Sequence, residues 1–533
     1  MKIFFKICLV FSFLSTQINA QNYKERLNQL DVLHYNLTIS VNDTSNVIYG
    51  TMKVSIKFKK LLNDFQLDFT KQDTTGRGMH VNYILEGKDT INYTHKNDIL
   101  TIASINLKKD SVFTFTINYK GIPKDGLIIS KNKFGDRTFF GDNWPNRAHN
   151  WFPCVDHSSD KATVEYYITA PNKYQVIANG LLTEETNVTN FTKLYHYQTK
   201  VPIEPKVMVI GVARFAVENI GTLKTIPVSS WVYPQNKTEG FYDYKIAKKI
   251  LRFFIENVGS YPYQKLANVE SKTRFGGMEN AGNIFYSEKS VTGKRDSEAL
   301  IAHEIAHQWF GNSVSEIDWP HLWLSEGFAT YFTDLYIEKT KNDSIFRNRL
   351  KMQRTKILNF YKKQQTPIID RHPKNLMSML NPNSYEKGAW FLHMLRHKLG
   401  DEFFWKSIRT YYDSFKNKNA STNDFKNVVE ALSGKNLTSF FNQWLEKPGQ
   451  PEIKTDWIYF KNKVRLMITQ TQQIPFKFPL DVALIYKDGS SEIKTLQITD
   501  KATPLVLEVN KEVKNIVLDP NIWLLFKQIS DSS

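Results

Sequence analysis

Residues 303–332, HEIAHQWFGNSVSEIDWPHLWLSEGFATYF, put His303, Glu304, His307 and Glu326 inside two strongly apolar runs. His303 and His307 are four apart, one helical turn, so both imidazoles face the same way. Ile301, Ala302, Ile305, Ala306, Trp309 and Phe310 surround them, which marks the helix as buried. Burying imidazoles beside carboxylates is costly unless a counter-charge joins them, and a divalent cation is the natural one. A bare His-Glu-x-x-His turns up by chance. Here the apolar setting and a third ligand, Glu326, separated from His307 by eighteen residues, decide for a metal. The fold must therefore bring two helices to one ion.

Two imidazoles and a carboxylate with a fourth position open make the donor set of a catalytic zinc, one Zn²⁺ per chain. Asp296 or Ser297 is expected to cap the first helix and Gly311 to close it. The metzincin pattern needs Gly and His at positions held by Phe310 and Ser313, so the gluzincin arrangement remains. Zinc acidifies water and polarises a carbonyl. Glu304 stands where a general base would take the water's proton and pass it to the leaving amine. The reaction class is hydrolysis of an acyl bond, with a peptide as the expected substrate.

The hydrophobic period changes along the chain. Residues 1–20 carry Lys2 and Lys6, an apolar core and Ala20, the pattern of a secretory signal, so the protein is expected to be exported, periplasmic or secreted. Met52, Val54, Ile56 and Phe58 alternate with polar residues as a half-buried strand does, and similar runs reach about residue 217. From about 240 the spacing is helical, as in YDYKIAKKILRFFIENVG ending on Gly259. After 447 alternation returns, with a hairpin turning at Asp488-Gly489. The expected order is leader 1–20, β domain 21–217, α-rich zinc domain 218–447 and small β domain 448–533. No later run approaches a membrane span.

A net charge of +17 invites a nucleic-acid reading. The lysines are scattered, however, without an Arg-rich or stacking motif, so nucleic acid is excluded and weak attraction to anionic surfaces is the most to expect. Without Cys8 in the leader, Cys154 stands alone, and no internal disulfide can form.

About 25 residues before the zinc motif stands RFGGMENAGN. With HEIAH and Glu326, it resembles the zinc aminopeptidases of the alanyl aminopeptidase and leukotriene hydrolase family, whose signature is Gly-(Ala/Gly)-Met-Glu-Asn before His-Glu-x-x-His. Gly276, Gly277, Met278, Glu279 and Asn280 match it. The resemblance implies a multidomain α+β chain: a saddle-like N-terminal β-sheet domain, a thermolysin-like α-rich catalytic domain and a C-terminal β-sandwich. It also implies that the GGMEN strand lines the cleft and that Glu279 grips the substrate's free α-ammonium. Tyr385, in SYEKGAW, corresponds to the tyrosine that donates to the tetrahedral oxyanion. The segment around Pro-Cys-x-Asp matches as well, making Cys154 a packing residue.

Ser325 replaces the usual Asn before the third ligand. The family's Gln-x-Glu, which helps hold the amine, is not visible, and Asp142 and Asn143 are the replacements to examine. The expected partners are peptides with a free N-terminus. The alternatives are a zinc endopeptidase and an inactive peptide-binding zinc scaffold.

Overall fold

The computed structural model describes residues 23–529. The leader-like stretch 1–20, with Cys8, lies outside them. The chain divides into two compact units, one running to Ile317 and including Phe415–Asn419, the other comprising Asp318–Ser414 and Ala420 onward.

The first unit begins with an eight-stranded sheet. Its order is Leu181–Asn187, Thr192–Gln198, Thr163–Pro171, Leu30–Ser40, Ile48–Phe58, Val112–Ile122, Gly78–Glu86 and Asp89–Thr90. The expected alternation is realised: Met52, Val54, Ile56 and Phe58 are all buried. Leu30–Ser40 runs parallel to Thr163–Pro171, with His34 opposite Thr163. A parallel pair needs a long crossover, and the intervening chain supplies it with further strands of this sheet, a three-stranded sheet, and the strands Leu127–Lys131 and Arg137–Gly141 of a four-stranded one. Cys154 sits fully buried in this unit, its thiol pushed well above the usual range by burial and then by Asp156 and Asp68, which suits packing and not nucleophilic attack.

A five-stranded sheet follows, ordered Ala216–Leu223, Ile226–Val232, Leu266–Ser271, Asn283–Ser287 and Gly277–Met278. Leu266–Ser271 and Asn283–Ser287 fall where the periodicity reads as helical, which is a correction, whereas Gly277–Met278 is the expected GGMEN strand. Leu266–Ser271 lies between two parallel neighbours and is buried at every position, so no alternation survives to signal it. The helical pattern ahead of Gly259 is two helices, Lys237–Tyr244 and Ala247–Asn257. The zinc-motif helix, Glu298–His307, and the short strand Val314–Glu316 follow in the same unit.

In the second unit, helices Trp323–Thr340, Asp343–Tyr361, Gly388–Leu399, Asp401–Phe415 and Thr422–Ser433 precede two sheets of four and three strands. Asn342 caps the second helix, its side chain accepting from Ile345 N at 2.9 Å. That helix is tied to the first by Asp334, which is buried and accepts from Arg349 at 2.6 Å and Gln353 at 2.7 Å. The expected hairpin at Asp488-Gly489 joins Phe478–Tyr486 to Ser491–Ile498, with Gly489 at φ +85°. No helix among the described residues is long and apolar enough to cross a membrane.

Helices Trp323–Thr340 and Gly388–Leu399 touch backbone to backbone. A Cβ on Gly327 would lie 2.9 Å from Gly388 Cα and 3.2 Å from Ser384 O. Gly327→Ala should therefore overpack the crossing by about 1–3 kcal/mol and lower the melting temperature of this unit. An unchanged transition in differential scanning calorimetry would show that the helices separate freely.

Candidate metal centre

The helix Glu298–His307 is buried along Ile301, Ala302, Ile305 and Ala306, and Glu304 and His307 are buried with them. Ser297 stands at its N-cap, but its hydroxyl donates to Ser290 O at 2.9 Å and does not cap. The helix ends at His307, short of Gly311, because Gln308 to Gly311 turn to meet Val314: Gly311 N donates to Val314 O at 2.8 Å. Gly311 takes φ +117°, which favours glycine.

That turn orients the histidines. His307 Nδ1 lies 3.1 Å from Phe310 O, so Nδ1–H donates to the carbonyl and Nε2 keeps its lone pair. His303 Nε2 and His307 Nε2 converge to 3.1 Å with the rings nearly perpendicular, at 86°. Two nitrogens on one tetrahedral zinc stand about 3.4 Å apart, given Zn–N near 2.05 Å. The donor pair therefore fits that ion. His303 and His307 stand in the first unit, and Glu326, the expected third ligand, in the second.

The GGMEN segment is built onto this helix. Gly277 pairs with Tyr286 and Met278 with Phe285, and the chain then turns through Glu279–Gly282. A Cβ on Gly277 would lie 2.4 Å from Glu304 Oε1 and 2.5 Å from Glu304 Cδ. The glycine is thus a matter of space: the carboxylate of Glu304 rests on bare backbone. Gly276 is different, since its Cβ would meet only Leu300 at 3.7 Å. Its carbonyl accepts from Ser287 N at 2.9 Å.

Glu279, Met278 and Asn280 are all buried. The carbonyl of Glu279 accepts from Gln308 Nε2 at 2.7 Å and Asn312 Nδ2 at 2.6 Å, and Gln308 Oε1 accepts from Gly282 N at 2.9 Å. Sequence reasoning passed over Gln308 and Asn312. Their signal was present, as two amides in an apolar run with no metal to bind.

Glu326 lies in the first turn of Trp323–Thr340 and is buried. It directly precedes Gly327, whose bare face meets Gly388. Tyr385 is half-buried in the π-turn Asn383–Lys387 that leads into Gly388–Leu399. Ser384 Oγ donates to Met379 O at 2.7 Å, and Asn383 Nδ2 to Thr366 O at 2.8 Å, which fixes the backbone on either side. Ser325 is buried, its amide on Leu322 O at 2.9 Å.

Asp142 and Asn143 do not stand ready for an amine. Asn143 Nδ2 donates to Pro205 O at 2.9 Å and Met208 O at 2.6 Å, and Oδ1 accepts from the Trp151 indole at 2.9 Å. Asp142 pairs with Arg147 and accepts from Thr273 Oγ1 at 3.2 Å and Arg274 N at 2.9 Å. Both side chains are enclosed and serve the fold.

Two family models match the chain: the peptidase M1 N-terminal domain over residues 32–204 and the peptidase family M1 domain over residues 242–444. Aminopeptidase A of Gloydius brevicauda is 24% identical over 552 residues, covering 93% of this chain and 56% of the relative. Probable aminopeptidase 2 of Sulfurisphaera tokodaii is 28% identical over 334 residues, covering 57% of this chain and 41% of the relative. The chain spans about half the length of the curated relatives it matches. A solved M1 zinc metallopeptidase variant from Deinococcus radiodurans shares the fold, with TM-score 0.66 at 21% identity over 79% of this chain and 96% of that one.

Gly277→Ala forces a methyl group into the Glu304 carboxylate. Turnover should fall at least about tenfold, the expected cost of misplacing a group by a fraction of an ångström, while metal content by elemental analysis stays at the parent level. Parent-like turnover would mean that Glu304 can move aside without cost.

Proposed function

This chain belongs to the peptidase M1 family, and on that footing we propose that it is a zinc aminopeptidase, releasing single residues from peptides with a free N-terminus. The observation that carries the reading is the convergence of His303 and His307 Nε2 at 3.1 Å beside a Glu304 carboxylate seated on the GGMEN strand. His303, His307 and Glu326 would hold the ion, which when bound supplies a Lewis acid for the scissile carbonyl and acidifies water.

This chain's own groups do the rest. Glu304 takes the proton of the attacking water and returns it to the departing amine. Gly277 leaves the carboxylate its room, and the hairpin beyond carries Glu279 to the substrate's α-ammonium. A carboxylate at that fixed place selects chain ends, because an internal residue offers no charge to pair. Tyr385 donates to the oxyanion as the carbonyl becomes tetrahedral. Gln308 and Asn312 hold the Glu279 backbone, tying amine recognition to the helix that bears the ligands.

Two variants and one treatment test this reading. Glu304→Gln should bind zinc like the parent yet lose turnover by about 10²–10⁴-fold, the usual worth of a general base; near-parental turnover would remove Glu304 from the chemistry. Glu279→Ala should raise KM for free peptides and narrow the gap to their N-acetylated forms. An equal effect on both forms would deny Glu279 the amine. Dialysis against a strong chelator should abolish hydrolysis, and zinc should restore it; activity that survives full metal removal would overturn the proposal.

A further inference from the structure

Behind the Glu279 hairpin the first unit encloses four charged side chains that the chemistry above does not use. Lys206 Nζ lies 2.6 Å from Glu316 Oε1 and 3.6 Å from Glu204 Oε1, and Lys161 Nζ lies 3.8 Å from Glu204 Oε2. Glu204 and Glu316 are fully buried, and the side chains of Lys206 and Lys161 are 2% and 6% exposed. Two cations and two anions make the quartet neutral as a whole.

It reaches the hairpin through the turn after the zinc helix. Lys161 Nζ donates to Asn312 O at 2.8 Å and Ser313 O at 2.9 Å, and Asn312 Nδ2 holds Glu279 O at 2.6 Å. Ser315 Oγ joins Glu204 Oε2 at 3.2 Å to Asn312 O at 3.1 Å. The connection is electrostatic as well. Burial opposes the Lys206 charge, yet Glu316, Glu204 and then Glu279 hold its ammonium above the usual lysine range. A core needing only packing would be served as well or better by apolar residues in these four places. Charges kept dry close to a carboxylate act on it at long range, because little water screens them.

We propose that the buried Lys161–Glu204–Lys206–Glu316 quartet is a positioning and tuning element for the amine pocket, whose balanced charge sets how strongly Glu279 attracts a protonated α-amine. This rests on the reading of Glu279 as the ammonium anchor. Removing one anion leaves an excess positive charge behind Glu279 and opposes the incoming ammonium. Removing one cation leaves an excess negative charge and favours it. A purely structural quartet has no such sign, since breaking it from either side would damage the pocket alike.

The test compares inhibition constants of leucine hydroxamate and isocaproyl hydroxamate, which differ only by the α-amine, on the zinc-loaded full chain. The parent should prefer the amine; equal constants for the parent would remove the anchor reading and this proposal with it. Glu316→Gln should lower the preference about tenfold and Lys206→Met should raise it about tenfold. The neutral pair Lys206→Met with Glu316→Met should return it to the parental ratio. Glu204→Gln and Lys161→Met carry the same two signs if either first variant fails to fold. Opposite shifts uphold the proposal; shifts in the same direction, or none, overturn it.

Discussion

The contact between the Glu304 carboxylate and the bare backbone of Gly277 is the constraint from which the site is organised. It sets the distance between the zinc helix and the last strand of the five-stranded sheet. With that spacing fixed, the helix can grip the hairpin a second time, through Gln308 and Asn312 on the carbonyl of Glu279. Glu304 and the backbone of Glu279 thus share one rigid support. On the proposed reading, a peptide held by its charged end would have its first carbonyl at a set distance from Glu304, the positional advantage that makes a weak acid–base pair effective.

The same economy governs the ligands. His307 is aimed by the turn that ends its helix, because Nδ1–H is taken by Phe310 O and only Nε2 is left to coordinate. Ending at His307, with Gly311 in a conformation that side chains resist, is therefore part of the metal site and not an irregularity beside it. In the second unit, Gly327 and Gly388 play a comparable part. By omitting their side chains they bring two backbones together, with Glu326 directly before Gly327 and Tyr385 three residues before Gly388. Three glycines with distinct neighbours position three of the groups assigned to the chemistry.

Burial of polar and charged side chains takes two forms in the first unit. Asp142 and Asn143 are consumed by Arg147, Trp151 and neighbouring backbone, so their burial is settled by local partners. The quartet of Lys161, Glu204, Lys206 and Glu316 is settled by its own balance of charge. The first kind is held by its immediate partners. The second has a sign, and any imbalance is felt by Glu279.

Much of this was legible in the chain. His303 and His307 share a face because a four-residue spacing allows nothing else on a helix, Glu304 lies three residues before His307, and their apolar neighbours announce the burial that makes a cation necessary. The alternation of Met52 to Phe58 and the turn at Asp488-Gly489 are local patterns and were realised as read. Leu266–Ser271 was not, because a strand covered on both faces loses its period. Nor could the sequence say why residue 277 is glycine, which way Gln308 and Asn312 point, or that residues 161, 204, 206 and 316 meet. Those facts depend on groups far apart in the chain sharing one dry space, and only tertiary packing decides which charges and carbonyls are enclosed together.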